Sequence, residues 1–244
     1  MEQRKSREHA ADGPAEWARS HDVSASAPAA PSPLVALEER RKLIAHAHER
    51  FREHADSQHD ISHAAEWVLD NYYIIDQAFR QVKEDLPSGY YSRLPKLSQG
   101  ALTGYPRVYA LAREMLVHIE GRLGRDNLLA MLRAYQQEQP LTMGELWALP
   151  TMLRITLLEF LAESLAAEED VERPEIPGGI PPELTKDGII SEFMVARYVP
   201  SLNTLDTLDW DAFFEAASLV EKALAEDPDD SYRIMEFKSR DRYR

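Results

Sequence analysis

Residues 68–86 read VLDNYYIIDQAFRQVKEDL, followed at 87–89 by Pro-Ser-Gly. Val68, Tyr72, Ile75, Phe79, Val82 and Leu86 recur at steps of four, three, four, three and four. That spacing places six apolar side chains on one face of a helix. Pro87 and Gly89 then supply the stop signal.

Outward from this stretch the same period recurs. Residues 35–56 predict a charged helix with Leu37, Ile44, Ala47 and Phe51 on its stripe, and a break near Asp56–Asp60. Residues 87–106 form the main irregular segment. Pro106 suits the first turn of the next helix, which buries Val108, Leu111, Met115 and Ile119 and closes at Gly121 and Gly124. A short helix over about Asp126–Gln137 carries Leu128, Leu129, Leu132 and Tyr135, and Pro140 ends it. Thr142-Met143-Gly144-Glu145 reads as a capping box. It opens a long helix with Leu146, Leu149, Leu153, Leu157 and Phe160 on one stripe. Pro150 lies inside that pattern and predicts a kink or a split. Helical patterns resume at about 181–198 and 209–226. In the second, Asp209 caps and Trp210, Phe213, Ala217, Val220 and Leu224 line one face.

The expected fold is therefore all-α, a multi-helix bundle of roughly seven to nine helices. Residues 1–33, rich in Ala, Ser and Pro, are expected to form a disordered tail, with Trp17 in it by chance. The main bundle is expected over 34–168, an acidic Pro/Gly linker over 169–180, and a C-terminal helical segment packed on the bundle over 181–244. The basic stretch Tyr232–Arg244 ends without a stop signal, as if cut within a helix. No solenoid period is present.

The 244 residues include 44% hydrophobic positions, enough for a core, and carry a net charge of −14. Such a surface repels phosphate backbones and anionic lipid, so neither nucleic acid nor direct membrane docking is expected. The absence of cysteine excludes disulfides, Cys-ligated zinc and thiolate catalysis. No secretory h-region and no membrane span is visible; the most apolar stretch, Leu146–Ala162, contains Arg154 and Glu159.

No catalytic centre stands out, and no cofactor or metal is expected. Seven of the eight histidines fall within residues 1–63. His46 and His48 do not share a helix face, and His59 and His63 lack a zincin frame. His118 falls near a helix end, where a structural role suits it. Asp209-Trp210-Asp211 and Asp227-Pro228-Asp229 match a bare D-x-D but follow no strand, so helix caps and an acidic turn account for them. There is no Gly-rich phosphate loop and no Gly-x-Ser-x-Gly elbow. Segment 89–109 has the chemistry to bind sugar. Tyr90, Tyr91, Tyr105 and Tyr109 cluster there with Arg93, Lys96 and Arg107. Aromatic faces stack on sugars, and Arg or Lys bonds hydroxyls or phosphate. The ligand-binding candidates are Tyr90, Tyr91, Arg93, Tyr105 and Arg107; the plainer reading is a loop packed by its tyrosines on the bundle.

Several segments resemble, in one order, the helical region towards the amino end of cyclic β-1,2-glucan synthases. Glu66–Ile75 is similar to that family's W-L-L-D-N-[FY] segment, Leu86–Pro95 to its L-P-x-G-Y-x-x-x-L-P turn, and Gly104–Tyr109 to its G-x-P-R-[VI]-Y segment. Ala134-Tyr135-Gln136 and Gln139–Ala148 resemble its A-Y-Q…P-L-x-[IL]-G-E-L-W-A stretch. Asp209-Trp210, Asp227-Pro228 and Tyr232–Arg244 resemble its terminal D-W…D-P…R-D-x-Y-R signature. The resemblance runs from about residue 60 to 244. It implies a non-catalytic helical region, a fragment or truncated form, lying beside a membrane-embedded glycosyltransferase that builds β-1,2-glucan from UDP-glucose. Its partners would be the remaining glycosyltransferase and phosphorylase-like domains, in cis or in trans. Its location would be cytoplasmic, at the inner membrane through the parent enzyme. This sequence lacks the family's membrane spans, transferase sheet, Q-x-x-R-W motif and phosphorylase domain, so no catalytic residue carries over. Two other readings stay open: a stand-alone sugar-binding or regulatory protein using the Tyr-rich loop 89–109, with β-glucan as a candidate ligand, and a glycosidase with two carboxylates in a deep cleft.

Overall fold

A computed structural model describes residues 13–57, 61–168, 176–179, 192–226, 231–232 and 234–240. Most of these residues are helical, and none of the described residues forms a strand. A helical segment covers residues 13–20. Ten helices follow: α1 (Leu37–Asp56), α2 (His63–Asp85), α3 (Ser88–Arg93), α4 (Arg107–His118), α5 (Arg125–Glu138), α6 (Met143–Glu168), α7 (Glu192–Thr207), α8 (Trp210–Ala217), α9 (Leu219–Leu224) and α10 (Phe237–Arg240).

α6 is the axis of the bundle. It packs against α1, α2, α4 and α7, and every position from 148 to 166 is buried. The sequence suggested one apolar stripe here. The structure instead surrounds the helix, so Met152, Ile155, Leu158 and Leu161 are buried as fully as Leu149, Leu153 and Leu157. The capping box forms as read: Thr142 Oγ1 accepts from the Glu145 amide at 3.2 Å, and the Thr142 amide donates to Glu145 Oε2 at 2.9 Å. α6 runs through Pro150 as one helix rather than two. Packing on all sides offsets the one backbone hydrogen bond that Pro150 cannot make.

The decisive stretch is α2. Val68, Ile75, Phe79, Val82 and Leu86 are buried, with Tyr72 packed at the margin. Ser62 caps the helix through Ala65. A kink at Asn71 (φ −124, ψ 16) accompanies a hydrogen bond from Asn71 Nδ2 to the Trp67 carbonyl at 3.0 Å. A side chain competing for a helical carbonyl bends helices in this way.

α4 ends at a tight turn where Gly121 has φ +72, and a Cβ there would meet the Tyr198 ring at 2.6 Å. Ser201 of α7 closes the same turn, donating to Gly121 O at 2.5 Å and accepting from the Leu123 amide at 3.0 Å.

Two expectations change. Residues 1–12 lie outside the described residues, but residues 13–33, read as disordered tail, are laid against the bundle. Ala18 and His21 are buried. Trp17 meets His118 edge-on at 5.5 Å. The His21 ring sits 3.1 Å from the Tyr135 hydroxyl and 3.6 Å from Glu114 Oε1. Val23 bridges antiparallel to Leu97, and the Ala30 amide donates to Gly104 O. Composition underestimated this strap because its anchors are few and widely spaced. The second change is the 209–226 helix, which breaks at Ser218 into α8 and α9. Ser218 Oγ caps α9 through the Glu221 amide at 3.0 Å. Glu221 turns inward to accept from the Tyr232 hydroxyl at 2.6 Å and from Arg240 Nη1 at 3.1 Å. Val220, expected on the buried face, is exposed.

Of the linker, residues 176–179 are described: Ile176 is buried and Gly179 O accepts from Arg113 Nη2 at 2.6 Å. The rest of it, the first half of the expected 181–198 helix, His59 and the Asp227–Asp229 pair lie outside the described residues. Asp209 is the cap of α8, its Oδ1 accepting from the Ala212 amide at 3.0 Å.

Candidate functional site

Segment 89–109 is built by short local rules. Pro87 stands before α3, and the chain leaves that helix extended at Leu94. Lys96 and Pro106 form an antiparallel bridge, so the Arg107 amide reaches Pro95 O at 2.8 Å. Pro106 caps α4, which puts Arg107 on the first helical position with its side chain directed at the start of α6.

There Arg107 is held as a fork. Nε donates to Glu145 Oε1 at 2.8 Å and Nη2 to Glu145 Oε2 at 2.7 Å. Nη1 donates to Gln139 Oε1 at 2.8 Å, and Nη2 also reaches Pro140 O at 3.1 Å. Arg107 and Glu145 are both buried. Two parallel charge-assisted bonds fix angle as well as distance. The Tyr90 hydroxyl donates to Gly144 O at 2.5 Å in the same turn of α6. Burial, with Glu145 nearby, pushes that phenol up to about 12.

The remaining candidates separate. Tyr91 is buried, its hydroxyl has no hydrogen-bond partner, and burial raises its pKa. Tyr105 is half-buried with its ring 5.6 Å from that of Tyr109. Arg93 is exposed and lines a shallow open groove of about 350 Å³ with Ser24, Ser92, Leu94 and Lys96. Lys96 Nζ is itself drawn to Ser92 O at 2.8 Å. Structure therefore brings Tyr90 and Arg107 together as an internal tie, turns Tyr91 inward, and leaves Arg93 facing solvent.

A second buried cluster escaped the sequence reading. Glu159 of α6 is fully buried; its Oε2 accepts from the Tyr109 hydroxyl at 2.7 Å and lies 3.6 Å from Arg113, and its Oε1 lies 3.4 Å from Arg40. Burial pushes the Glu159 carboxyl up, against the opposing pull of Arg40, the Tyr109 hydroxyl and Arg113. The Arg113 guanidinium also lies over the Tyr109 and Phe160 rings at 5.8 and 5.5 Å. One signal was available. Arg40 falls at the three-then-four step between Leu37 and Ile44, so the apolar stripe itself placed it inside.

Among the described residues no three His, Cys, Asp or Glu side chains gather as a metal site, and no helix is long and apolar enough to cross a membrane. Neither this groove nor the cleft between α2 and α7 brings two carboxylates together.

The fold and site define an all-α helical module whose central charges tie helices to one another. No known protein-family model matches the chain. A stretch of 101 residues, 41% of the chain, is 41% identical to the cyclic β-(1,2)-glucan synthase NdvB of Rhizobium meliloti (strain 1021). The chain is thus related to that synthase, of which the match spans 4%.

Proposed function

We propose that this chain is a non-catalytic helical scaffold or docking region of a cyclic β-1,2-glucan synthase. The 41% identity over 101 residues to such an enzyme carries the reading. In keeping with it, the tyrosines and arginines that had looked most like a site largely face inward, so their chemistry serves packing. Two apolar groups near one point of the surface agree with docking. Trp147 lies one turn beyond Met143, whose sulfur is 3.2 Å from Ser218 Oγ, and Leu219 and Val220 follow Ser218; all three are partly exposed large apolar side chains. The partners would be the transferase and phosphorylase-like parts, in cis or in trans, and the setting the inner membrane through them.

The test is cellular. Membranes from cells lacking this chain's coding sequence should incorporate little glucose from UDP-glucose into cyclic glucan, and restoring the sequence should recover it. Antibodies to the chain should find it in, or travelling with, the synthase. Normal glucan synthesis without the chain, together with its absence from the synthase fraction, would dismiss the proposal.

A further inference from the structure

A small cleft lies between α2 and α7, away from segment 89–109. Tyr73, Ile74, Gln77, Gln81, Asn203 and Asp206 form most of its lining. Its chemistry is unusual for this chain. Tyr73 stands 66% exposed, an aromatic face offered to solvent. Gln77 Nε2 donates to Asp206 Oδ2 at 2.9 Å and Gln81 Nε2 to Oδ1 at 2.5 Å, so both oxygens of the carboxylate are held in place by amides. Each glutamine keeps its carbonyl oxygen and a second N–H for other partners. The Asn203 side chain is exposed beside them. These amides and the carboxylate offer both donors and acceptors side by side, which suits vicinal hydroxyls.

No lining side chain is cationic. A phosphate or nucleotide would meet the Asp206 carboxylate in the lining, while Arg154, the cation that acts on Asp206, is buried outside it. The cavity holds about 30 Å³, which admits a hydroxyl or hydroxymethyl group rather than a ring. A ring has to lie across the mouth, where the Tyr73 face and the Ile74 side chain present apolar surface to its C–H groups. We propose that this cleft binds a neutral gluco-oligosaccharide, with one sugar stacked on Tyr73 and its hydroxyls bonded to Gln77, Gln81 and Asn203. The site stands apart from the docking role, and either can fail without the other.

The experiment is a titration of the full chain, followed by amide chemical shifts, with linear β-1,2- and β-1,3-linked gluco-oligosaccharides and, separately, UDP-glucose. Saturable shifts at residues 73–81 and 202–206 with either oligosaccharide are expected, with a Kd on the order of 1 mM. Tyr73→Ala should weaken binding about tenfold and Tyr73→Phe should retain it, because the ring makes the contact. If Tyr73→Ala is found unfolded by circular dichroism, Asn203→Ala at an exposed position gives the same reading. The proposal is overturned by the absence of a saturable response, by undiminished binding in Tyr73→Ala or, where that variant is unfolded, in Asn203→Ala, or by preference for UDP-glucose.

Discussion

Arg107 and Glu145 meet across 38 positions of chain through two parallel hydrogen bonds of 2.8 and 2.7 Å. Glu145 also accepts from the Thr142 amide and hydroxyl at 2.9 and 3.0 Å. One carboxylate therefore caps α6 and anchors the start of α4. Arg107→Ala should cost about 3–5 kcal/mol, because it leaves a buried carboxylate without its counter-charge. Arg107→Lys should fall between that variant and the parent, since an ammonium cannot form the fork. Denaturant melts measure both, and a loss for Arg107→Ala within experimental error would show that the tie contributes nothing net.

Phe79 sits on the α2 stripe at 2% exposure. Phe79→Ala should cost about 3–5 kcal/mol in the same melts. A loss below about 1 kcal/mol would mean the side chain has little packing around it.

The tyrosines predict an alkaline limit. Burial raises the pKa of Tyr90, Tyr91, Tyr109, Tyr135 and Tyr198 above the usual 10.0, with Tyr90 reaching about 12. A raised folded-state pKa gives a contribution that is complete below the unfolded value and lost as pH climbs through the folded one. Stability should thus hold to about pH 10 and fall between 10 and 12. Phenolate absorbance should show part of the ten tyrosines ionising only as the helical circular dichroism collapses. Ionisation of all ten near pH 10 with the fold intact would contradict the burial.

Gly104 lies under the strap. It has φ +84, and a Cβ would come 2.3 Å from Pro28 O and 2.8 Å from the Ala30 nitrogen. Gly104→Ala should lift residues 22–30 and leave α2 and α6 in place. Hydrogen exchange should then speed up at Ala30, whose amide is bonded to Gly104 O at 3.2 Å. Unchanged protection there would mean that the strap accommodates the methyl group.

The periodicity of Val68–Leu86 and the cap at Thr142 made the helices and their class legible, because those signals are local. The buried ties were much less so. Arg107–Glu145 and Arg40–Glu159 join elements far apart in sequence, and nothing in either neighbourhood names the other end. The tyrosine-rich loop is ambiguous for a related reason: aromatic and cationic side chains have the same composition whether they face a sugar or the start of a helix. Tyr73, by contrast, lies inside the decisive helix beside Ile74 and Ile75, and its apolar neighbours hide its exposure in the sequence.

An axis buried on every side cannot take its angle of rotation from an apolar stripe, since each face is covered alike. In α6 the angle is set by its charges. Arg154 reaches Leu205 O of α7 at 3.2 Å, Glu159 faces Arg40 of α1 and Tyr109 of α4, and Glu145 holds Arg107. Turning the helix by a third of a revolution would keep most of its greasy surface covered while stranding several ions at once. The charges work like the notches of a key, admitting one orientation of a shaft that would otherwise spin.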